Sequence, residues 1–275
     1  MTERTREVPQ QEERPLLEHL NELVYRARRA LFSLLVTFLL FFFFGIKEVY
    51  FEGFRFPILY PNLFNSIASN VIVLFIHSEL PPKMELINLN PFDTLFSAAY
   101  VAFFLSLLVA MPIIIWEAWA FVAPGLYEHE RRMAKYIILP AFLLFTAGSA
   151  FAYFIIIPVM MKFVLIYTET LGVAPTLSLR AFINTVMSLM LTNGLAFEYP
   201  LVMSMLTMAG VVKASSWRRN WRYGVLGAFI IAWLISPGTT GGVIETTIGV
   251  TLSTLYFVGI LASHLVEKRK RALRV

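Results

Sequence analysis

The composition of this 275-residue chain excludes an ordinary soluble globular protein. Hydrophobic residues make up 58% of the chain and charged residues only 15%, whereas a typical soluble domain has about 25% charged residues. Cysteine is absent, which excludes disulfides, thiol catalysis and cysteine-ligated metals. We therefore predict a polytopic membrane protein. In such a protein, the basic residues behind the net charge of +5 report the orientation in the membrane before they indicate an anionic partner.

The N-terminal segment is predicted to contain a tail followed by an amphipathic helix. Residues 1–14 are polar and mixed in charge, without an apolar core or a small-residue cleavage site, so we expect a retained, disordered cytoplasmic tail rather than a signal peptide. From Pro15 onward, apolar residues recur at spacings of three and four. This pattern predicts a helix that lies along the membrane surface before the chain turns inward, with Arg26 able to pair with Glu22.

The rest of the chain predicts an all-α protein with six transmembrane helices, because six apolar segments approach the length needed to cross about 30 Å of hydrocarbon. The predicted spans are residues 30–50, 94–121, 136–159, 181–209, 223–235 and 243–265. The fifth and sixth are expected to be short, and Glu198-Tyr199-Pro200 interrupts the fourth. An apolar stretch between residues 51 and 90 is too short to span, and we interpret it as a helix at the outer interface.

The distribution of basic residues predicts the orientation. Most of the 23 lysines and arginines fall in the N-terminal segment, the loops after the second and fourth spans, and the C-terminal tail. Both termini are therefore predicted to be cytoplasmic. We expect one six-helix domain at residues 15–265 and a basic cytoplasmic tail at 266–275.

The loop after the second span contains a candidate binding residue. On a helix, Glu128 can pair with Arg132, but Glu130 has no cation three or four residues away. Glu130 is therefore predicted to bind a cation supplied by another molecule.

Three other carboxylates lie within or beside the spans. Glu198 is deep in the fourth span, where a carboxylate facing lipid is costly. It is expected to face a polar cavity or a partner or to be protonated, and a purely structural hydrogen bond to a neighbouring helix is the other interpretation. Glu117 and Glu245 lie near span ends, where solvation at the interface is the simpler interpretation.

The sequence gives little support for an enzyme or a metal site. The histidines lie on separate segments without a metal-binding spacing, so no metal or other cofactor is expected; they are His19, His77, His129 and His264. Ser149 and His264 superficially offer the nucleophile and base of an intramembrane protease. Ser149 has no nucleophile motif, however, and Gly148-Ser149 is better interpreted as a small pair that lets helices approach closely.

Three stretches of the chain resemble the TatC component of the twin-arginine protein translocase. They are HLNEL at residues 19–23, WAFVAPGLYEHERR at 119–132 and FEYP at 197–200. The resemblance implies a six-span, glove-shaped protein of the prokaryotic cytoplasmic membrane that is not an enzyme. Such a protein binds signal peptides with paired arginines and, with single-span TatA and TatB-type partners, exports folded proteins using the proton-motive force. It further implies a homo-oligomer in the receptor complex and no nucleic-acid partner.

The resemblance also implies roles for individual residues. By position, Glu22 and Glu130 would bind the signal arginines and Phe121 would shape their site. Pro57 matches a proline of the first outer loop, and Glu198 matches an intramembrane glutamate that contacts a partner helix. A carboxylate accepts two parallel hydrogen bonds from a guanidinium, which a lysine ammonium cannot match. We accordingly expect an anionic pocket at the inner face that lacks a counter-ion of its own.

The chain departs from the family pattern at several places. Val24 stands where the family usually has arginine, the turn between the last two spans lacks the usual aspartate, and the first outer loop is longer. A different class of function also stays open at this stage, namely a proton-coupled small-solute transporter that uses Glu198.

Overall fold

The computed structural model describes residues 16–51, 54–122, 138–236, 238 and 241–272. Helices predominate in these residues: α1 (Leu16–Phe43), α2 (Ile67–Glu79), α3 (Asp93–Val122), α4 (Ile138–Phe151), α5 (Ile157–Thr170), α6 (Leu179–Phe197), α7 (Tyr199–Met208), α8 (Ala214–Arg219), α9 (Trp221–Ile235) and α10 (Val243–Ala272). A π-helical turn at Ala152–Ile156 connects α4 to α5. Strands β1 (Phe44–Phe51) and β2 (Phe54–Pro61) form an antiparallel hairpin, and β3 (Glu85–Ile87) pairs in parallel with β4 (Thr176–Ser178).

Four helical segments of the described chain are long and apolar enough to cross a membrane. They are Asp93–Phe121, Ile138–Thr170, Leu179–Met208 and Val243–Arg269. The predicted fifth span corresponds to α9, which is short as expected at 15 residues. The expectation of a short sixth span is wrong, because α10 has 30 residues and continues past the predicted boundary at 265.

The first predicted span is wrong at both ends. The amphipathic segment and the span form one continuous helix of 28 residues, α1, so the chain does not turn between them. This helix ends at Phe43, and residues 44–51 form β1 instead of its last two turns. Aromatic and β-branched residues are frequent in this stretch and favour a strand. A Cβ on Gly45 would collide with the Asn65 carbonyl, so the start of the hairpin requires glycine.

The segment between α1 and α3 contains the predicted short helix. This helix is α2, whose N-terminus is capped by Ser66 through a 3.2 Å hydrogen bond from the Ser69 amide. Its buried side chains Ile72 and Phe75 join the hydrophobic core next to α3. Pro57 lies on β2 opposite Glu48 and is exposed, which suits a residue that cannot donate a backbone hydrogen bond.

The third span is longer than predicted. Its helix continues to Thr170 instead of ending at residue 159, which shortens the loop before α6. Pro158 lies in the first turn of α5, where a missing amide is tolerated, and the π-helical turn precedes it. The proline therefore changes the winding of this helix without ending it.

Helices α4 and α6 approach each other closely through small residues. Added Cβ atoms would lie 2.5 Å from the Asn193 carbonyl oxygen at Gly148, and 2.7 Å from Ser149 Oγ at Gly194. Ser149 is 2% exposed and donates a 3.0 Å hydrogen bond to the Met190 carbonyl. Gly148 and Ser149 therefore serve helix packing, in agreement with the sequence-based interpretation.

We predict that Gly148→Ala destabilises the protein by about 1–3 kcal/mol, because the new methyl group meets backbone that must move. The matched control is Gly227→Ala on α9, where a Cβ meets no atom within 4 Å. Unfolding of the detergent-solubilised variants provides the measurement. Equal stability of the two variants would contradict the close contact between α4 and α6.

The C-terminal end of α2 buries a carboxylate. Glu79 is 8% exposed, and its Oε2 has no hydrogen-bond partner among the described residues. Burial raises the pKa of Glu79 above its ordinary value of 4.5, although hydrogen bonds from Tyr153 and Ser78 act in the opposite direction. The folded protein therefore retains the Glu79 proton at pH values where the unfolded chain has lost it.

We predict that Glu79→Gln raises the unfolding temperature at about pH 8 and leaves it unchanged at about pH 4. With a raised folded-state pKa, the stability contribution of Glu79 is complete below the ordinary pKa and is lost as the pH rises through the raised value. Glu169→Gln is the control, because Glu169 is exposed and pairs with Lys83 at 3.0 Å. A gain that is equal at both pH values would contradict this explanation.

Candidate functional site

The candidate site lies where the N-terminal half of α1 packs against the C-terminal end of α3. Arg26 joins the two helices there. Its Nη2 and Nε lie 2.6 and 3.2 Å from Oε1 of Glu22, one helical turn away, and its Nη1 lies 3.5 Å from Oε2 of Glu117. A single guanidinium thus bridges a carboxylate of α1 and a carboxylate of α3.

Glu117 belongs to this ion-pair group, although the sequence analysis did not predict it for the candidate site. Its side chain is 3% exposed, and besides Arg26 it pairs with Arg29, whose Nη1 lies 3.0 Å from Glu117 Oε1. The expectation that Glu117 is solvated at the interface is therefore wrong. The sequence held a signal for its role, because a lone carboxylate in an apolar helix needs a cation and the basic residues of α1 are available.

Glu22 already has a cation from its own helix. The predicted pairing with Arg26 is confirmed, with 19% of the Glu22 side chain and 23% of the Arg26 side chain exposed. The broader expectation, a pocket without any counter-ion of its own, is wrong for Glu22. Glu130 lies outside the described residues.

Phe121 is at the same end of α3 and is half-buried. It follows Glu117 by four residues, so the two side chains lie on the same side of the helix. Because Arg26 joins Glu117 to Glu22, the structure brings Glu22 and Phe121 to one end of the α1 and α3 pair. Both are residues that the sequence predicts for the site.

Glu198 lies at the predicted interruption of the fourth span. Helix α6 ends at Phe197 and α7 begins at Tyr199, with Pro200 in the first turn of α7. Oε1 of Glu198 is buried and has no hydrogen-bond partner among the described residues. A cavity of about 190 Å³ lies beside this break and is lined by apolar side chains and a tyrosine: Leu195, Ala196, Tyr199, Val202, Ala228, Ile231 and Leu252.

Glu245 belongs to the turn between α9 and α10. It is 7% exposed and accepts a 2.7 Å hydrogen bond from Ser236 Oγ, so the expectation of interfacial solvation is wrong here as well. Gly238, Gly241 and Gly242 have positive φ angles, which favour glycine. Glu245 therefore closes a turn that depends on its glycines.

The structure does not bring Ser149 and His264 together as the nucleophile and base of a protease. Ser149 directs its hydrogen bond to the Met190 carbonyl, whereas His264 is exposed and lines another cavity beside Arg218 and Lys268. Among the described residues, no group of three or more histidine, aspartate and glutamate side chains could hold a metal ion.

Known proteins resemble this chain over nearly its full length. Residues 18–269 match the family described as Sec-independent protein translocase protein (TatC). TatC of Aquifex aeolicus is 31% identical over 262 residues, which cover 94% of this chain and 99% of that protein. TatC of Escherichia coli K12 is 28% identical over 250 residues, which cover 91% and 88% of the respective chains.

Solved structures agree with the sequence comparison. A crystal structure of the twin arginine translocase receptor TatC matches with a TM-score of 0.68 and 28% identity, covering 90% of this chain and 99% of that chain. A second structure of the receptor, in DDM, matches with a TM-score of 0.69 and 29% identity, covering 89% and 99%. These matches favour a protein translocase component over a small-solute transporter or an enzyme. The chain therefore belongs to the TatC family of Sec-independent protein translocase components.

Proposed function

We propose that this chain is the subunit that binds the twin-arginine signal peptides of folded proteins, at the cytoplasmic face of a prokaryotic cytoplasmic membrane. In this proposal the chain has six spans in a glove-shaped arrangement with both termini in the cytoplasm. The solved relatives are titled twin arginine translocase receptors, which supports the receptor role. The predominance of basic residues in the predicted inner segments supports the orientation.

The signal arginines bind to Glu22 and Glu130, with Phe121 against the neighbouring part of the peptide. One observation carries this assignment: Glu22 already accepts two N–H groups of a guanidinium, that of Arg26, at 2.6 and 3.2 Å. The position is therefore shaped and charged for the same chemical group that a signal arginine presents. Phe121 supplies an apolar side chain at the same end of the helix pair.

Arginine selectivity follows from the carboxylates. A guanidinium offers five N–H donors in a fixed plane, and a lysine ammonium offers a compact charge without that geometry. A paired-lysine signal would keep the charge and lose the paired hydrogen bonds.

Glu198 recruits a partner within the membrane. Its Oε1 is buried at the break between α6 and α7 and lacks a donor among the described residues. A polar side chain on a single-span TatA or TatB-type helix would supply that donor, and the interaction is favourable because the alternative is an unsatisfied oxygen in hydrocarbon. In this proposal, Pro57 shapes the outer hairpin of β1 and β2.

Assembly with TatA or TatB-type partners, in a receptor complex with several copies of this chain, links signal binding to export driven by the proton-motive force.

We predict that Glu130→Arg weakens binding of a twin-arginine peptide by at least about 30-fold, because it removes one carboxylate and adds a repelling charge. Fluorescence anisotropy with a labelled peptide and the protein in nanodiscs measures the affinity. The matched control is Glu128→Arg in the same loop, which should bind the peptide nearly normally. A paired-lysine peptide should bind the unmodified protein poorly. Affinity like that of the unmodified protein in Glu130→Arg would refute the assignment.

We predict that Glu198→Ala reduces co-purification of a TatB-type partner, whereas Glu198→Gln retains part of it because the amide still forms hydrogen bonds. Signal-peptide affinity should stay unchanged in both variants, since Glu198 lies on different helices from Glu22 and Phe121. Glu169→Gln is the control at an exposed carboxylate. Full partner recovery with Glu198→Ala would exclude Glu198 as the contact.

A further inference from the structure

The described part of the candidate site is electrically balanced. Glu22 and Glu117 carry two negative charges, and Arg26 and Arg29, which pair with them, carry two positive charges. An incoming peptide with two arginines therefore meets no net negative charge in this group. Both contacts from Arg26 fall on Oε1 of Glu22, so a signal arginine can bind both oxygens of Glu22 only if Arg26 moves.

Arg26 is placed for such a move. It makes its short contacts to Glu22, at 2.6 and 3.2 Å, while its third nitrogen is already 3.5 Å from Glu117 Oε2. A modest rotation of the side chain would exchange the short and the long contact. A guanidinium has donors on all three nitrogens, so the transfer never leaves it without a carboxylate.

We propose that Arg26 is a resident counter-ion that a signal-peptide arginine displaces from Glu22 and that Glu117 then receives. The proposal rests on the proposed function, because it assigns the mechanism of exchange at the same site. Glu117 is a specificity-determining residue in this mechanism: without it, Arg26 has no second carboxylate and remains on Glu22.

The exchange avoids the main cost of binding in a partly buried site. Removing one partner of a buried ion pair leaves an uncompensated charge, which is strongly unfavourable. Here Glu22 passes from one guanidinium to another, and Arg26 passes from one carboxylate to another. No carboxylate in the group is unpaired before or after binding.

Arg26 also makes binding at Glu22 more demanding for any incoming cationic side chain. An incoming side chain must replace two guanidinium hydrogen bonds on Glu22; a signal arginine can do so with two parallel donors of its planar group, whereas a lysine ammonium lacks that geometry. Arg26 therefore increases discrimination between paired arginine and paired lysine by excluding the weaker competitor, at the cost of some affinity for both.

The test measures the affinities of a twin-arginine and a paired-lysine peptide for a set of variants in nanodiscs. Arg26→Gln should bind the twin-arginine peptide about fivefold more tightly. The gain for the paired-lysine peptide should be larger, so the ratio of the two affinities falls. Glu117→Gln should weaken twin-arginine binding by about tenfold, and it should have little effect when combined with Arg26→Gln.

The control is Arg28→Gln, which removes the same charge from the same helix. Within the described residues, Arg28 forms no ion pair with either carboxylate, so both affinities should remain near those of the unmodified protein. Arg26→Lys serves as a second variant in case Arg26→Gln misfolds, because it keeps the positive charge. It should give a ratio of twin-arginine to paired-lysine affinity between those of the unmodified protein and Arg26→Gln.

The outcomes separate this proposal from a purely structural role. If the ion pairs only hold α1 against α3, Arg26→Gln and Glu117→Gln will lower the unfolding temperature and weaken both peptides in equal proportion, which would overturn the proposal. Failure of the unmodified protein to bind the twin-arginine peptide would instead overturn the proposed function. Tighter binding by Arg26→Gln with a reduced affinity ratio supports the exchange.

Discussion

One shared guanidinium links the two helices that form the candidate site. Arg26 contacts Glu22 on its own helix and Glu117 on α3, 91 positions along the chain. The contact joins α1 to α3 at the end of α3 that carries Phe121. It is favourable because Glu117 is almost fully buried and a carboxylate in that setting requires a cation. The candidate site is centred on this ion-pair group.

The other buried carboxylates of the described residues lie at helix ends and turns. Asp93 begins α3 and lies 3.6 Å from Arg180, while Glu245 accepts a hydrogen bond from Ser236 in the turn before α10. Helix ends and turns supply free backbone and side-chain donors, so a carboxylate there can form hydrogen bonds with nearby residues. Glu198 occupies a similar break, and one of its oxygens, like Oε2 of Glu79 and Oδ1 of Asp93, has no hydrogen-bond donor among the described residues. We assign Glu198 to a partner because it lies within an apolar segment long enough to cross a membrane, where no water can supply the donor.

Much of the fold could be predicted from apolar length and helix-breaking residues. Helix α3, the short helix α2 and the break at Glu198 were predicted because each depends on local sequence. The hairpin was missed because residues 44–51 continue the apolar run of α1, and its pairing with β2 is a tertiary contact. The role of Glu117 was missed for the same reason, since its cations come from a distant helix. The family motifs, by contrast, predict roles for Glu22 and Phe121 from the sequence alone.

We propose that a signal arginine binds at the joined ends of α1 and α3. A photocrosslinking experiment tests this, with a photoreactive amino acid at Phe121 and, as a control, at the exposed residue Val173. Each protein is then irradiated with a twin-arginine signal peptide. We expect a crosslink from position 121 that excess unlabelled twin-arginine peptide removes and paired-lysine peptide does not, with none from position 173. Crosslinking from 173 alone, or equal competition by both peptides, would contradict it.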